Sequence, residues 1–206
     1  MEYPSKLVES AVEAFNALPG IGKKTALRLV MHFLQSDTEV TTKFSEALKS
    51  MREGVHECSQ CHNISDTPLC AICSNPGRDG SVLCVVENFR DVIAIENTDM
   101  YKGQYHVIGK LISPMDGIGP EQLHISNLKE RIHNQSIQEI IMALNPTING
   151  DTTLFYLTKF LQSEHIKITT IARGIAFGGE LEYVDDITLA RSLSSRQPYE
   201  QYLVGR

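Results

Sequence analysis

Apolar residues recur at helical spacing through the first quarter of the chain. Leu7, Val8, Ala11, Val12, Ala14, Phe15 and Leu18 make one stripe, and Ala26, Leu27, Leu29, Val30, Phe33 and Leu34 make a second. A third amphipathic stretch, 38–51, carries Val40, Phe44, Ala47, Leu48 and Met51. Residues 1–53 therefore predict a small helical module. The pattern then breaks. Residues 54–80 hold four cysteines, two prolines and many short polar residues, with too little apolar content for a core of their own. From Ser81 onward short apolar runs at 82–86, 92–95, 139–144 and 166–171 alternate with helical stretches at 120–133 and 152–162. Such alternation implies an α/β domain over 81–175, a parallel sheet covered by helices. Residues 176–206 remain as a C-terminal extension.

The first two stripes are joined by Leu18-Pro19-Gly20-Ile21-Gly22-Lys23-Lys24-Thr25, a turn of the helix-hairpin-helix kind. Gly20 and Gly22 permit positive φ and let a phosphate approach the backbone. The amides opening the second helix then point at the anion with the favourable end of the helix dipole. Lys23, Lys24 and Arg28 lie beside that end, and no acidic residue occurs from Ala14 to Ser36. The competing reading is an ordinary capping glycine with lysines on a solvated face. The acid-free flank favours contact with DNA phosphates, without sequence readout.

Composition narrows this picture. A net charge of −6 over 206 residues excludes a basic coat and confines any nucleic-acid site to a local patch. With no signal-peptide layout at the N-terminus and no apolar run of membrane-spanning length, a cytoplasmic protein with reduced thiols is expected. The five cysteines are then metal ligands or buried thiols. Cys58-x2-Cys61 and Cys70-x2-Cys73 form two knuckles eight residues apart, able to complete the four-sulfur shell of one structural Zn²⁺, the alternatives being an iron–sulfur centre or disulfides. His56 and His62 are possible substitute ligands, with His62 read as a surface residue. Cys84, inside an apolar run, reads as a buried hydrophobe.

Glu87 follows the run 82–86, at the carboxyl edge where α/β sheets place their sites. Metal-dependent strand cleavage or primer synthesis needs several carboxylates around its cations. The comparable run 139–144 leads instead into Asn145-Pro146-Thr147-Ile148-Asn149-Gly150-Asp151, with no Asp-x-Asp. Glu87, Asp91 and Asp151 are the acids such an enzyme would have to use, and catalysis here is not expected.

The order of hairpin, four-cysteine finger and acidic α/β domain resembles the RecR family of bacterial recombination mediators. Local strings carry the resemblance over nearly the whole chain: Val85-Val86-Glu87, Tyr105-His106-Val107-Ile108-Gly109, the run from Ser113 to Pro120, and Gly178-Gly179-Glu180-Leu181-Glu182-Tyr183-Val184-Asp185. The resemblance implies a Toprim domain without strand-cleaving activity. It implies a non-enzymatic, nucleoid-associated role with RecO, and in some pathways RecF, in loading RecA onto gapped or single-stranded DNA coated by single-strand-binding protein. It also implies a homo-oligomer, a dimer or a clamp-like ring around DNA, and no membrane. By position, Lys24 and Arg28 would contact DNA, Cys58, Cys61, Cys70 and Cys73 would hold zinc, and Glu87 with Asp91 would face RecO. Residues 174–186 are likened in this family to a Walker B element, an apolar strand ending in acid. No phosphate-binding glycine loop accompanies it here. Lys110, Asn149 and Ala176-Phe177 depart from the family's usual glycine, glutamate and Pro-Val.

Overall fold

The computed structural model describes residues 3–196 and residue 198. The chain divides into two compact units, Met1–Val55 and His56–Arg206. The expected extension 176–206 therefore ends partly outside the described residues. Among those residues no helix is long and apolar enough to cross a membrane.

The first unit contains α1 (Lys6–Asn16), α2 (Lys23–Gln35) and α3 (Thr38–Gly54). Val12 of α1 is buried against Ala26 and Val30 of α2, with Val8, Ala11, Phe15, Ile21 and Leu27 packed around them. Phe15, Phe33 and Phe44 form an aromatic cluster, with centroid separations of 5.9 Å for Phe15–Phe33 and 5.1 Å for Phe33–Phe44. No residue of α3 is buried. Val40, Phe44, Leu48 and Met51 leave that helix with an exposed apolar face.

The second unit begins with a small finger built on β1 (His56–Glu57) and β2 (Ile64–Ser65), paired antiparallel. A four-stranded sheet follows in the order β4-β3-β5-β6, formed by β3 (Asp79–Val86), β4 (Gly103–Val107), β5 (Glu139–Ala143) and β6 (Lys167–Thr170). Every pairing is parallel. Successive side chains of β3 leave opposite faces, and both faces are covered. Leu83 and Val85 join Ile108, Ile140, Met142 and Leu157 in one core, while Cys84 and Val86 join Val92, Tyr105 and Val107 in another. Helices α4 (Phe89–Glu96), α5 (Leu128–Gln135), α6 (Ile148–Phe160) and α7 (Asp186–Ser194) complete the unit.

Three segments differ from the sequence expectation. The apolar run 92–95 lies in α4 rather than in a strand. Asn88 caps that helix and Asp91 returns a bond to the Asn88 amide, a reciprocal capping box that selects helix for a run too short to show its period. The expected helix 120–133 is a single 3-10 turn at Pro120–Gln122, with a helix only from Leu128. No strand occurs in 174–186. A 3-10 turn at Leu181–Tyr183 leads to α7, whose first turn is capped by the Asp185 carboxylate. Gly178 takes φ +82°, a left-handed turn that ends any extended run before the acids.

Candidate nucleic-acid and metal sites

The hairpin turn works through one glycine of left-handed backbone. Gly20 has φ +79°, whereas Gly22 has φ −81° and stands as the extended N-cap of α2. The expectation that both use positive φ is corrected by this. Gly22 contributes by having no side chain to cap the helix, so the amides of Lys23, Lys24 and Thr25 have no partner among the described residues. The first turn carries no acid. Lys24 and Arg28 are exposed four residues apart on one helix face, and neither they nor Lys23 joins an ion pair among the described residues. The result is an open cluster of donors suited to an anion.

The acid-free window of the sequence does not extend to the space around it. Glu9 and Glu13 of α1 line the same depression, about 470 Å³ in volume, as Lys23 and Lys24. A helical stripe places them there although they precede the window. Their field opposes that of the lysines, while Arg28 lies outside that lining.

The four finger cysteines converge as their spacing predicts. Their sulfurs all lie within 4.8 Å of one another, with Cys58, Cys61 and Cys70 buried and Cys73 partly so. The sulfurs of Cys61 and Cys70 are 3.5 Å apart. Backbone amides of Cys70 and Cys73 donate to the sulfurs of Cys58 and Cys70. Burial pushes the Cys58 thiol up, but amide donors outweigh it and bring its pKa down to about 7. The Cys73 side chain and burial push Cys61 up, and burial does the same for Cys70. Four thiolates this close are tolerable only around a cation, and a tetrahedral dication fits the donor set.

A buried cation missing from the sequence reading stands beside this cluster. Arg131 is 5% exposed. Its guanidinium donates to the Tyr105 carbonyl at 2.5 Å, to Gln104 Oε1 at 2.8 Å and to Gln135 Oε1 at 2.8 Å. Burial pulls its pKa down and the four cysteine sulfurs oppose that shift, so Arg131 balances the thiolate charge. The finger is tied to β4 by the Val107 amide, which donates to the Cys61 carbonyl at 2.8 Å, and by Gln60 bonding Gln104. No local signal marks Arg131 in the sequence, because two of its three partners lie about 26 residues earlier and Gln135 alone is near it in the chain.

At the sheet edge the acids are dispersed. Glu87 accepts from Asn145 Nδ2 at 3.1 Å, and Asp91 accepts from the Asn88 amide at 3.0 Å. Asp151 is paired with Arg173 at 2.7 Å and lies 4.0 Å from Arg191, and the Arg173 hydrogen bond holds its carboxyl below the usual range. Among the described residues these three acids do not form a metal-ligating group. Cys84 is buried in β3, and burial with the nearby Asp91 charge pushes its pKa up to about 12. Tyr183 is exposed. His56 is exposed outside the cysteine cluster, and His62 packs inward against His106 and His124 rather than facing solvent freely.

Known proteins divide the chain in a matching order. Residues 8–52 match the RecR helix-hairpin-helix, 55–75 the RecR four-cysteine zinc finger domain, 81–172 the Toprim domain and 174–197 the RecR C-terminal region. The recombination protein RecR of Amoebophilus asiaticus is 57% identical over 97% of this chain and 100% of its own length. Those of Cytophaga hutchinsonii and Porphyromonas gingivalis are 56% and 52% identical over 97% and 96% of the chain, covering 98% and 96% of their own lengths. The finger thus carries a structural zinc. With hairpin, finger and Toprim sheet in this order and relatives this similar over nearly their full length, the chain belongs to the RecR family of recombination proteins.

Proposed function

We propose that this protein is a non-enzymatic, DNA-binding recombination mediator that holds DNA by its phosphates. The observation that carries the reading is the uncapped start of α2, where free amides and the unpaired Lys23, Lys24 and Arg28 meet at Gly20 and Gly22. Such donors recognise charge and backbone spacing rather than bases. The dispersal of Glu87, Asp91 and Asp151 supports a scaffold over a metal-dependent nuclease or primase. Family membership supports the partners: RecO, and RecF where present, with RecA loaded onto gapped or single-stranded DNA coated by single-strand-binding protein. Glu87, half-buried just past β3, is the candidate for the RecO contact; Asp91, bound into the capping box, supports the same surface by fixing α4. The exposed apolar face of α3 supports assembly into a dimer or a clamp-like ring.

The test is a gel shift on gapped DNA with Mg²⁺ present, wild type beside the Lys24→Ala, Arg28→Ala double variant, followed by a denaturing gel. Retarded DNA with every strand intact, lost in the variant, is expected. Cut or extended strands would overturn the scaffold reading, and equal retardation by the variant would overturn the hairpin as the grip.

A further inference from the structure

A second group of metal-ligating atoms lies outside the four-cysteine cluster. Glu57 on β1, His62 beside the first knuckle and His124 from the segment before α5 bring one oxygen and two ring nitrogens within 4.8 Å of one another. Glu57 Oε2 is 3.6 Å from His62 Nδ1 and 3.8 Å from His124 Nδ1.

Hydrogen bonding positions one of the two rings. His62 Nε2 faces Asn127 Oδ1 at 3.3 Å, and since that oxygen only accepts, Nε2 is the donor; in the neutral ring Nδ1 then keeps its lone pair on the side of Glu57. This is the outer partner that metal-ligating histidines need. His124 Nδ1 is buried and has no hydrogen-bond partner among the described residues. Its backbone is fixed by donation to the Ile108 carbonyl at 3.0 Å and by its own carbonyl accepting from His106 Nε2 at 2.5 Å. His62 takes φ +61°, left-handed backbone that turns its ring inward, with centroid 4.4 Å from that of His124. A neutral imidazole lone pair facing a carboxylate oxygen is repelled by it, unless a proton or a cation stands between them.

We propose that Glu57, His62 and His124 form a second site for a divalent transition ion of the Zn²⁺ type, separate from the four-cysteine centre. Two imidazoles and a carboxylate are a common donor set for such ions and leave a fourth position for water or a partner's side chain. Bonds of about 2.0–2.1 Å in a tetrahedral shell bring donors to about 3.3 Å from one another, so the Glu57 oxygen must close on each ring nitrogen by about half an ångström and the two rings on each other by no more than about 1.5 Å. The exposed, flexible Glu57 side chain can supply the first movement, and small rotations of the two rings the second. An ion here would bolt the finger to the segment that follows β4, with the His124 ring stacked beside Gly109, where even a methyl group would stand 3.4 Å from Cε1.

The full-length protein with its finger loaded should be dialysed against micromolar free Zn²⁺ and the bound metal counted. Two ions per chain are expected for wild type, and one for His62→Ala, His124→Ala and Glu57→Gln. Asn127→Ala should bind the second ion about 10–100-fold more weakly. The Asn127 side chain makes no capping bond to α5, so helix loss would not account for that. Co²⁺ loading separates the centres: thiolate charge-transfer bands report the cysteines and verify the folded finger, while nitrogen and oxygen ligation adds d–d bands without them. One ion in wild type, or a second ion retained by all three ligand variants with charge-transfer bands intact, would overturn the proposal.

Discussion

Replacing Lys24 and Arg28 with alanine removes two cations from the open start of α2 and leaves its amides in place. Each phosphate neutralised on a duplex contributes about 0.9 to the slope of log affinity against log salt, so the double variant should be shallower by about 1.8. Between about 50 and 200 mM salt that difference amounts to about a twelvefold smaller loss of affinity for the variant; on single strands, at about 0.7 per contact, it is about sevenfold. Fluorescence anisotropy on a labelled duplex and a labelled single strand, each of two unrelated sequences, reads both slopes. The structure adds a control of opposite sign. Glu13 shares its depression with Lys23 and Lys24, so Glu13→Gln should tighten binding at low salt and lose that advantage as the screening length falls to about 8 Å. Parallel slopes for wild type and the double variant would refute phosphate contact by these residues. A defect confined to one DNA sequence would refute the absence of base readout.

Removing zinc should unfold the finger while α1 and α2 stay helical, because their core of Val12, Ala26 and Val30 lies in a separate unit; an unchanged melting temperature after chelation would contradict this. Gly150→Ala should cost about 1–3 kcal/mol, because its Cβ would stand 1.9 Å from the Asn145 carbonyl oxygen, backbone that cannot swing aside. Thermal unfolding checks it, and full stability would mean that the Asn145 turn moves freely. Burial pushes the Glu96 carboxyl up, but Arg78 and the Tyr105 hydroxyl outweigh it and leave the pKa below the usual glutamate value. A depressed carboxyl stabilises the fold above its unfolded pKa and loses that contribution as pH falls through the folded value. Denaturant unfolding at pH 7 and pH 3 should therefore show wild type losing more stability on acidification than Glu96→Gln, and equal losses would contradict the assignment.

The fold is legible in the sequence where one residue type implies one chemistry. Cysteines at knuckle spacing have few uses in a reduced protein, and the apolar runs of β3 and β5 have the composition of strands buried on both faces. It is illegible where a partner is remote. The strand β4 goes unread because Gln104 and His106 interrupt its apolar pattern, and their remote partners, Arg131 and Gln60 for the one and the His124 carbonyl for the other, are not visible in the sequence. The run in α4 misleads because four apolar residues fit either period, although Asn88 followed by Asp91 is a capping signature that the sequence does contain. His62 reads as surface because its ring neighbours, His106 and His124, lie 44 and 62 positions further along. Even the apparent freedom of the hairpin lysines is a statement about chain order, which α1 revises by folding Glu9 and Glu13 alongside them.

The bonds along β4 have a bearing on solubility. As an outer strand of the sheet, β4 would ordinarily present a row of unpaired amides and carbonyls on which a foreign strand could dock. Here the Cys61 carbonyl takes the Val107 amide and the Arg131 guanidinium takes the Tyr105 carbonyl. The finger and Arg131 of α5 together act as a cover on a sticky border. Loss of the finger would free the Val107 amide as a starting point for strand addition, so that zinc starvation would favour self-association through the sheet.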